Sequence, residues 1–246
     1  MDSINLRALG MEFIGTFSLI FIGGWSVFAG DNQKDVLVPA LAHAAILGVF
    51  VFIGAKISGG HYNPADTVGL AITNNIQPIL AACYIVVQLL GSLAAGFCIL
   101  YMKPGVYKSD ASKLGFPHLD KTTSFSQGML MEFFGTFYLV FTIYACAVHR
   151  KVSPGACALL IGTALFAGIA AFGSITGGAL NPARTFGPSI LAKSFLMKGW
   201  WVYYLGPLLG GITAALGYEF LFASGDYQKL PDEDIEGATG TMEKEE

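Results

Sequence analysis

Two short segments contain the residue types that could do chemistry, and both combine them with glycine and proline. They read "GGHYNPADT" (59–67) and "GGALNPART" (177–185). Each places an Asn directly before a Pro, and the second adds Arg184 three residues after its Asn. An Asn amide offers two N–H donors and one carbonyl acceptor, and a guanidinium offers five donors and a permanent charge. These groups can bind and orient small polar molecules, and neither is a nucleophile.

The sequence around both segments is apolar. Of 246 residues, 54% are hydrophobic and 13% are charged, whereas soluble domains average about 25% charged residues. Six apolar runs are long enough to cross a bilayer core of about 30 Å. They cover about 7–29, 37–57, 79–102, 127–148, 154–174 and 200–223. The sequence therefore predicts an all-α, multi-pass membrane protein, in which a charge such as Arg184 at membrane depth is expensive and indicates function.

The chain contains an internal repeat. The matching segments are "MEFIGTF" (11–17) with "MEFFGTF" (131–137), "ISGGHYNPADTVG" (57–69) with "ITGGALNPARTFG" (175–187), and "QLLG" (88–91) with "PLLG" (207–210). All three matches occur in the same order at nearly one offset, which predicts a first repeat over 1–110 and a second over 111–223. Each repeat holds three spans, so the second enters the membrane from the opposite side. Inverted repeats of this kind place their site near the bilayer midplane.

The two Asn-Pro-Ala motifs predict two re-entrant half-helices, over 64–73 and 182–193. The motifs comprise Asn63, Pro64 and Ala65, and Asn181, Pro182 and Ala183. Asn is a favoured helix N-cap, and Pro suits the first helical turn because it has no N–H to leave unpaired. The apolar stretch that follows each motif is too short to span the membrane. In an inverted repeat, the two half-helices meet N-terminus to N-terminus at the midplane.

The six spans, the repeat and the paired motifs together resemble the aquaporin, or major intrinsic protein, family. The resemblance covers about 5–223 and is highly specific. It implies a right-handed six-helix bundle with two half-helices inside, assembled as a homotetramer with one pore per subunit. It also implies that the side chains of Asn63 and Asn181 donate hydrogen bonds to a single file of water at the centre. Water oriented in this way, together with two positive helix ends, opposes protons and cations.

The resemblance also implies a second constriction, the selectivity filter. Its four positions, counted from the two Asn residues, are His43, Ile169, Gly178 and Arg184. Water-strict members of the family use a bulky aromatic and a second histidine where this chain has His43 and Ile169. Glycerol-conducting members use aromatic walls and place an Asp after the arginine, where Thr185 stands here. The set resembles plant tonoplast intrinsic proteins that conduct water and ammonia.

Further candidate residues lie outside the filter. His118, in "GFPHLDK" (115–121), is either an additional filter member or an ordinary exposed loop histidine. The resemblance implies that Glu12 and Glu132 brace the loops of the Asn-Pro-Ala motifs, and that His61 lines the pore opposite the filter. Asp66 replaces an apolar residue that is usual in the family. It is either a carboxylate that stabilises a helix N-terminus or a vestibule residue that concentrates cations such as ammonium.

The functional prediction is a passive water channel that also conducts ammonia and excludes protons and ions. Its partners are water, small neutral solutes and lipid, with no nucleic acid. The sequence predicts no enzyme activity, no cofactor and no metal site. Three alternatives stay open: a glycerol or urea facilitator, an ion-coupled secondary transporter, and a structural protein with a vestigial pore.

The sequence leaves the membrane and the orientation open. The filter resembles those of vacuolar proteins, but filter residues do not act as a targeting signal. The family resemblance implies an orientation with both termini in the cytosol. The lysines of the long loops favour the opposite orientation, in which those loops lie in the cytosol. The acidic segment 224–246 is predicted to be a disordered tail. The four cysteines fall inside predicted spans, which favours free thiols, and Gly178 in place of a pore cysteine predicts weak inhibition by mercury.

Overall fold

The computed structural model describes residues 5–28, 35–102, 115, 117–149, 152–192 and 198–223. Within these ranges the chain forms eight α-helices. They are α1 (Leu6–Ser26), α2 (Leu37–Gly54), α3 (Pro64–Ile72), α4 (Pro78–Met102), α5 (Phe125–Ile143), α6 (Pro154–Thr176), α7 (Pro182–Leu191) and α8 (Val202–Gly217). The predicted tail, 224–246, and the predicted boundary between the repeats, near 110, lie outside the described residues.

Six of these helices are long and apolar enough to cross a membrane: α1, α2, α4, α5, α6 and α8. Their ends agree with the predicted spans to within a few residues. Two spans continue beyond their α-helical parts as π-helical turns, at Tyr144–His149 and Tyr218–Phe222. The sequence analysis did not anticipate these turns, because the same apolar residues suit either helix type.

The two short helices α3 and α7 are the predicted half-helices. They contain 9 and 10 residues, so at about 1.5 Å per residue neither crosses the bilayer. α3 belongs to the first half of the chain and packs against α8 of the second half, while α7 packs against α4 of the first half. The long helices follow the same symmetry, since α1 packs on α4 as α5 packs on α8, and α2 packs on α6. The predicted fold class, six spans with two half-helices in an inverted repeat, is confirmed.

Close helix contacts depend on glycines at matching positions in the two halves. A Cβ atom on Gly91 of α4 would lie 2.5 Å from the carbonyl oxygen of Phe13 in α1. Gly210 of α8 has the same relationship to the carbonyl oxygen of Phe133 in α5. Small residues at such contacts let membrane helices approach closely, which is the main source of packing energy where lipid removes the hydrophobic effect.

The outer surface of the helix bundle is apolar, and charged side chains are buried inside it. Large apolar side chains are exposed on the outer surface, among them Phe52, Ile79 and Leu159 at 59%, 73% and 70%. In contrast, the side chains of Glu12 and Glu132 are fully buried within the bundle. An apolar outer surface, with the buried charged side chains enclosed by the bundle, suits a multi-pass membrane protein.

Candidate pore

The two half-helices begin at the Asn residues of the paired motifs, as predicted. The Asn63 side chain accepts a hydrogen bond from the Ala65 N–H at 3.0 Å, and the Asn181 side chain accepts one from the Ala183 N–H at 2.9 Å. Pro64 and Pro182 follow as the first helical residues. Each Asn oxygen therefore satisfies a backbone donor that the helix start would leave unpaired.

The amide nitrogens of the two Asn residues cross-link the halves of the chain. Asn63 Nδ2 donates to the Leu180 carbonyl at 3.0 Å, and Asn181 Nδ2 donates to the Tyr62 carbonyl at 2.9 Å. These bonds use one of the two N–H groups on each amide. The second N–H of each has no recorded protein acceptor in the described part of the chain. It remains available to a molecule between the two side chains.

The residues that precede the two Asn residues hold an uncommon backbone conformation. Tyr62 and Leu180 both have φ of 52°, which is rare for residues other than glycine. This conformation persists only where the surroundings enforce it. Gly15 makes room for the Tyr62 ring, and Gly135 makes room for the Leu180 side chain. The glycines of the repeated "MEFxGTF" segments thus help to place the carbonyls that accept from the Asn amides.

Glu12 holds the first motif loop through four hydrogen bonds. Its Oε1 accepts from the Ser58 hydroxyl at 2.7 Å and the His61 N–H at 2.9 Å. Its Oε2 accepts from the Tyr62 N–H at 2.8 Å and from Gln88 Nε2 at 2.9 Å. A buried carboxylate needs such partners to offset its lost hydration.

Glu132 makes the equivalent contacts in the second motif loop. Its Oε1 accepts from the Thr176 hydroxyl at 2.6 Å and the Ala179 N–H at 3.0 Å. Its Oε2 accepts from the Leu180 N–H at 2.7 Å. The positions of both glutamates fit the bracing role that the resemblance implied.

One participant in this network, Gln88, was not among the predicted site residues. Gln88 is fully buried and donates to Thr67 Oγ1 at 3.0 Å as well as to Glu12. Thr67 Oγ1 in turn donates to the Asn63 carbonyl at 3.0 Å. A glutamine inside an apolar span could have been recognised, because polar residues at membrane depth usually face a partner.

The structure brings the four predicted filter residues together. Arg184 Nε donates to His43 Nε2 at 2.8 Å. Arg184 Nη1 donates to the Gly177 carbonyl at 3.0 Å and also to the Gly178 carbonyl. A Cβ on Gly178 would lie 3.0 Å from the Ile169 Cα, so these two residues also touch. All four are buried.

The hydrogen bonds define the protonation of His43. A guanidinium has no acceptor, so His43 Nε2 must accept from Arg184. The proton of a neutral ring then lies on Nδ1, which donates to the Pro39 carbonyl at 2.7 Å. The imidazole is thus neutral in this arrangement, and the charge of the filter belongs to Arg184.

The loop of His118 lies against the filter loop, although the His118 side chain is exposed. The backbone nitrogen of His118 would lie 3.1 Å from a Cβ on Gly177. Asp120 anchors this loop, since its N–H donates to the Ile175 carbonyl at 2.8 Å. The Thr122 hydroxyl and N–H donate to the Asp120 carboxylate and hold the pKa of that carboxyl below its usual value. The backbone near His118 is therefore close to the predicted filter loop, while its ring is exposed.

A cavity of about 420 Å³, which we call the vestibule, lies on the side of the motifs away from the filter. Its walls include Val51, His61, Asp66, Asn75, Cys146 and Cys157. A smaller cavity of about 20 Å³ shares His61 with it and extends to Asn63 and Asn181. Together the two cavities form a path from the vestibule to Asn63 and Asn181. The path narrows sharply near these two side chains.

Asp66 lies in the first turn of α3, as both of its interpretations require. Its side chain is 2% exposed, and its Oδ1 has no hydrogen-bond partner among the described residues. The carboxylate also lines the vestibule, as does His61, whose Nδ1 lies 3.2 Å from Thr67 Oγ1. An unpartnered buried carboxyl oxygen on a cavity wall is stabilised by water, by a cation or by protonation of the group.

Six membrane helices around two facing half-helices, with cavities that lead to the Asn pair, define the chain as a multi-pass membrane channel. The family model described as "Major intrinsic protein" matches residues 2–218. The chain therefore belongs to the major intrinsic protein family. Aquaporins of this family are channels and not enzymes, which confirms the predicted absence of enzyme activity.

Curated relatives support the same assignment. The chain is 42% identical to "Aquaporin TIP2-1" of Arabidopsis thaliana, covering 89% of this chain and 88% of the relative. It is 38% identical to "Aquaporin TIP4-4" of Zea mays, covering 96% and 94%. The predicted resemblance to the aquaporin family and to its tonoplast-intrinsic-protein-like members is confirmed, and the chain is a water channel of this type.

A solved structure supports the fold. The aquaglyceroporin from Plasmodium falciparum superposes with a TM-score of 0.79 at 23% identity, covering 88% of this chain and 96% of that one. At this level of identity the similarity concerns the fold and not the solute.

Proposed function

We propose that the chain passes water in single file and ammonia as a second permeant, and that it excludes protons and ions. The observation that carries this proposal is the geometry of Asn63 and Asn181. Each amide donates one N–H to the opposite motif loop, so its orientation is fixed, and its other N–H has no protein acceptor among the described residues. A water molecule that accepts from both amides must point its oxygen at the midplane and its hydrogens away from it.

Electrostatics supports ion exclusion at two levels of the pore. α3 and α7 both begin at the Asn pair, and each helix start carries roughly half a positive charge. Arg184 adds a full charge at the filter, where three hydrogen bonds to His43 and to two loop carbonyls hold it in place. A hydrated cation would lose hydration water in the filter and would be repelled there by the positive charge of Arg184. A neutral molecule avoids both penalties.

The composition of the filter supports ammonia as the second permeant. Ile169 offers no hydrogen-bonding group, and His43 already shares Nε2 with Arg184. Gly178 adds no side chain to the constriction. The filter therefore offers few hydrogen-bonding groups that water would satisfy better than ammonia. It should discriminate only weakly between these two molecules.

We also propose a homotetramer in the tonoplast. The relatives are named as aquaporins of the TIP type, and the family resemblance implies four subunits with separate pores. One chain supplies both motif loops, all four filter residues and both cavities. The tetramer would therefore contribute stability and place the outer helix faces against one another, leaving each pore complete within its subunit.

The test is a set of paired permeabilities on purified protein in liposomes. Stopped-flow light scattering gives osmotic water permeability, and an internal pH dye gives ammonia uptake. Leu47→Trp is the matched control, because Leu47 lines the narrow cavity beside the Asn pair and a larger ring there should occlude it. We expect both fluxes in the wild type and neither above background in Leu47→Trp.

Glycerol and urea swelling in the same vesicles tests the main alternative. Rapid glycerol or urea flux with little ammonia flux would contradict the proposed selectivity and favour a facilitator. Saturable flux that requires an ion gradient would favour a secondary transporter. Background water flux from correctly assembled protein would favour a vestigial pore.

A further inference from the structure

Two cysteines from different helices meet in the wall of the vestibule. Cys146 lies in the π-helical turn that follows α5, and Cys157 is the fourth residue of α6. Their sulfur atoms are 3.0 Å apart. An S–S bond is about 2.05 Å long, so an approach of about 1 Å would join them. This contact is independent of the Asn motifs and the filter.

Both thiols are protected from the outer surface and face the same cavity. Their residues are 4% and 6% exposed, and both line the vestibule of about 420 Å³. The other two cysteines, Cys83 and Cys98, lie on α4, are more exposed, and are not part of the vestibule wall. A small polar oxidant that enters the vestibule thus reaches one close thiol pair, while the α4 thiols lie elsewhere.

We propose that Cys146 and Cys157 are a redox modification site that a hydroperoxide converts into a reversible disulfide. In the first step one thiol releases its proton, and the resulting thiolate attacks a peroxide oxygen. The O–O bond breaks and the leaving hydroxide takes up the released proton, so the products are a sulfenic acid and water. In the second step the other thiol attacks the sulfenic sulfur, forms the S–S bond and releases a second water. Hydrogen peroxide is reduced by two electrons, and the two thiols together lose two electrons and two protons.

The surrounding backbone favours this chemistry. Cys157 lies near the start of α6, where helix N–H groups favour a negative charge, so we assign it as the attacking thiol. Cys146 occupies a π-helical turn, a local irregularity that is frequent at functional sites. The disulfide would tie the end of the fourth span to the start of the fifth across the vestibule wall.

Thiol counting on purified full-length protein in liposomes tests the proposal. The protein is reduced, freed of reductant, treated with hydrogen peroxide, blocked with an alkylating reagent and digested for mass spectrometry. We expect Cys146 and Cys157 to lose alkylation together, at least about tenfold faster than Cys83 and Cys98. The linked peptide should appear, and dithiothreitol should restore both thiols.

Variants separate a pair from two independent thiols. In Cys146→Ser the remaining Cys157 should form a sulfenic acid that a dimedone probe labels. In Cys157→Ser, which lacks the attacking thiol, the remaining Cys146 should be labelled more slowly, and neither variant should give a linked peptide. The double variant Cys83→Ser/Cys98→Ser is the control and should form the disulfide as the wild type does. Independent oxidation of Cys146 and Cys157, or full alkylation of both after peroxide treatment, would overturn the proposal. Neither result depends on the permeability of the channel.

Discussion

The guanidinium of Arg184 and the imidazole of His43 are joined by a hydrogen bond of 2.8 Å between Arg184 Nε and His43 Nε2. The two residues are 141 positions apart in the sequence and come from α7 and α2. This bond joins the filter arginine to the opposite half of the chain. The neutral His43 ring therefore helps to fix the position of the Arg184 guanidinium.

Substitution of His43 tests the role of this bond in selectivity. His43→Phe removes the acceptor of Arg184 Nε and places a bulky aromatic ring in the filter. We expect ammonia permeability to fall by about tenfold, or about 1.4 kcal/mol, with a smaller loss of water permeability. His43→Gln is the matched control, because its amide oxygen can still accept from Arg184. Equal losses of both fluxes in His43→Phe would contradict a role in solute discrimination.

If Glu132 braces the second motif loop, its substitution should lower the stability of the protein. Glu132→Gln keeps the shape but loses the charge, and its single amide nitrogen would place N–H donors against the N–H group of either Ala179 or Leu180. We expect a destabilisation of about 3 kcal/mol, measured as a lower Tm in detergent, together with reduced water flux. Glu12→Gln should behave in the same way, because Glu12 accepts from the matching loop. Unchanged Tm in both variants would rule out the brace.

Asp66 predicts an effect of vestibule charge on ammonia flux. We expect Asp66→Val to lower ammonia uptake by about threefold at low ionic strength, because a carboxylate in the vestibule attracts ammonium. Asp66→Asn removes the charge at constant size and should show the same loss. Added salt should reduce the difference from the wild type, since it screens the charge. If both variants match the wild type in ammonia and water flux, Asp66 serves only the start of α3.

Mercury sensitivity tests the geometry of the filter. Cys146 and Cys157 line the wide vestibule and the filter has no cysteine, so we expect mercuric chloride to lower water flux in the wild type by less than about twofold. Ile169→Cys would place a thiol in the constriction and should make inhibition strong and reversible by reductant. Strong inhibition of the wild type that Cys146→Ser and Cys157→Ser abolish would show that the vestibule, and not the filter, controls the flux.

Much of the site followed from the sequence because the two halves repeat it. The paired motifs indicated where α3 and α7 begin, and the equivalent glutamates indicated which carboxylates contact the two motif loops. The direct bond between Arg184 and His43 was not predictable, since spacing alone can group residues but cannot orient their side chains. The carbonyls of Tyr62 and Leu180, which accept from the Asn amides, were not predictable either. Every residue has a backbone carbonyl, so residue type does not show which one accepts.

Other features depended on packing that an apolar sequence conceals. Cys146 and Cys157 each read as ordinary buried thiols, and only the packing of α6 beside the end of the fourth span brings them together. The π-helical turn at Tyr144–His149 was equally invisible, because its side chains fit an α-helix as well. Gln88 is the exception, since a polar residue within an apolar span indicates a polar partner.

Proton flux and water flux measured on the same vesicles test the central claim most directly. Wild-type protein in liposomes with an internal pH dye and valinomycin is compared with protein-free vesicles and with Asn181→Asp, which replaces a midplane donor by a carboxylate. If the two Asn amides and helix ends orient water as described, wild-type water flux should exceed the background at least about tenfold, while proton flux stays at background and rises in Asn181→Asp. Wild-type proton flux that increases with protein content in parallel with water flux would contradict the account.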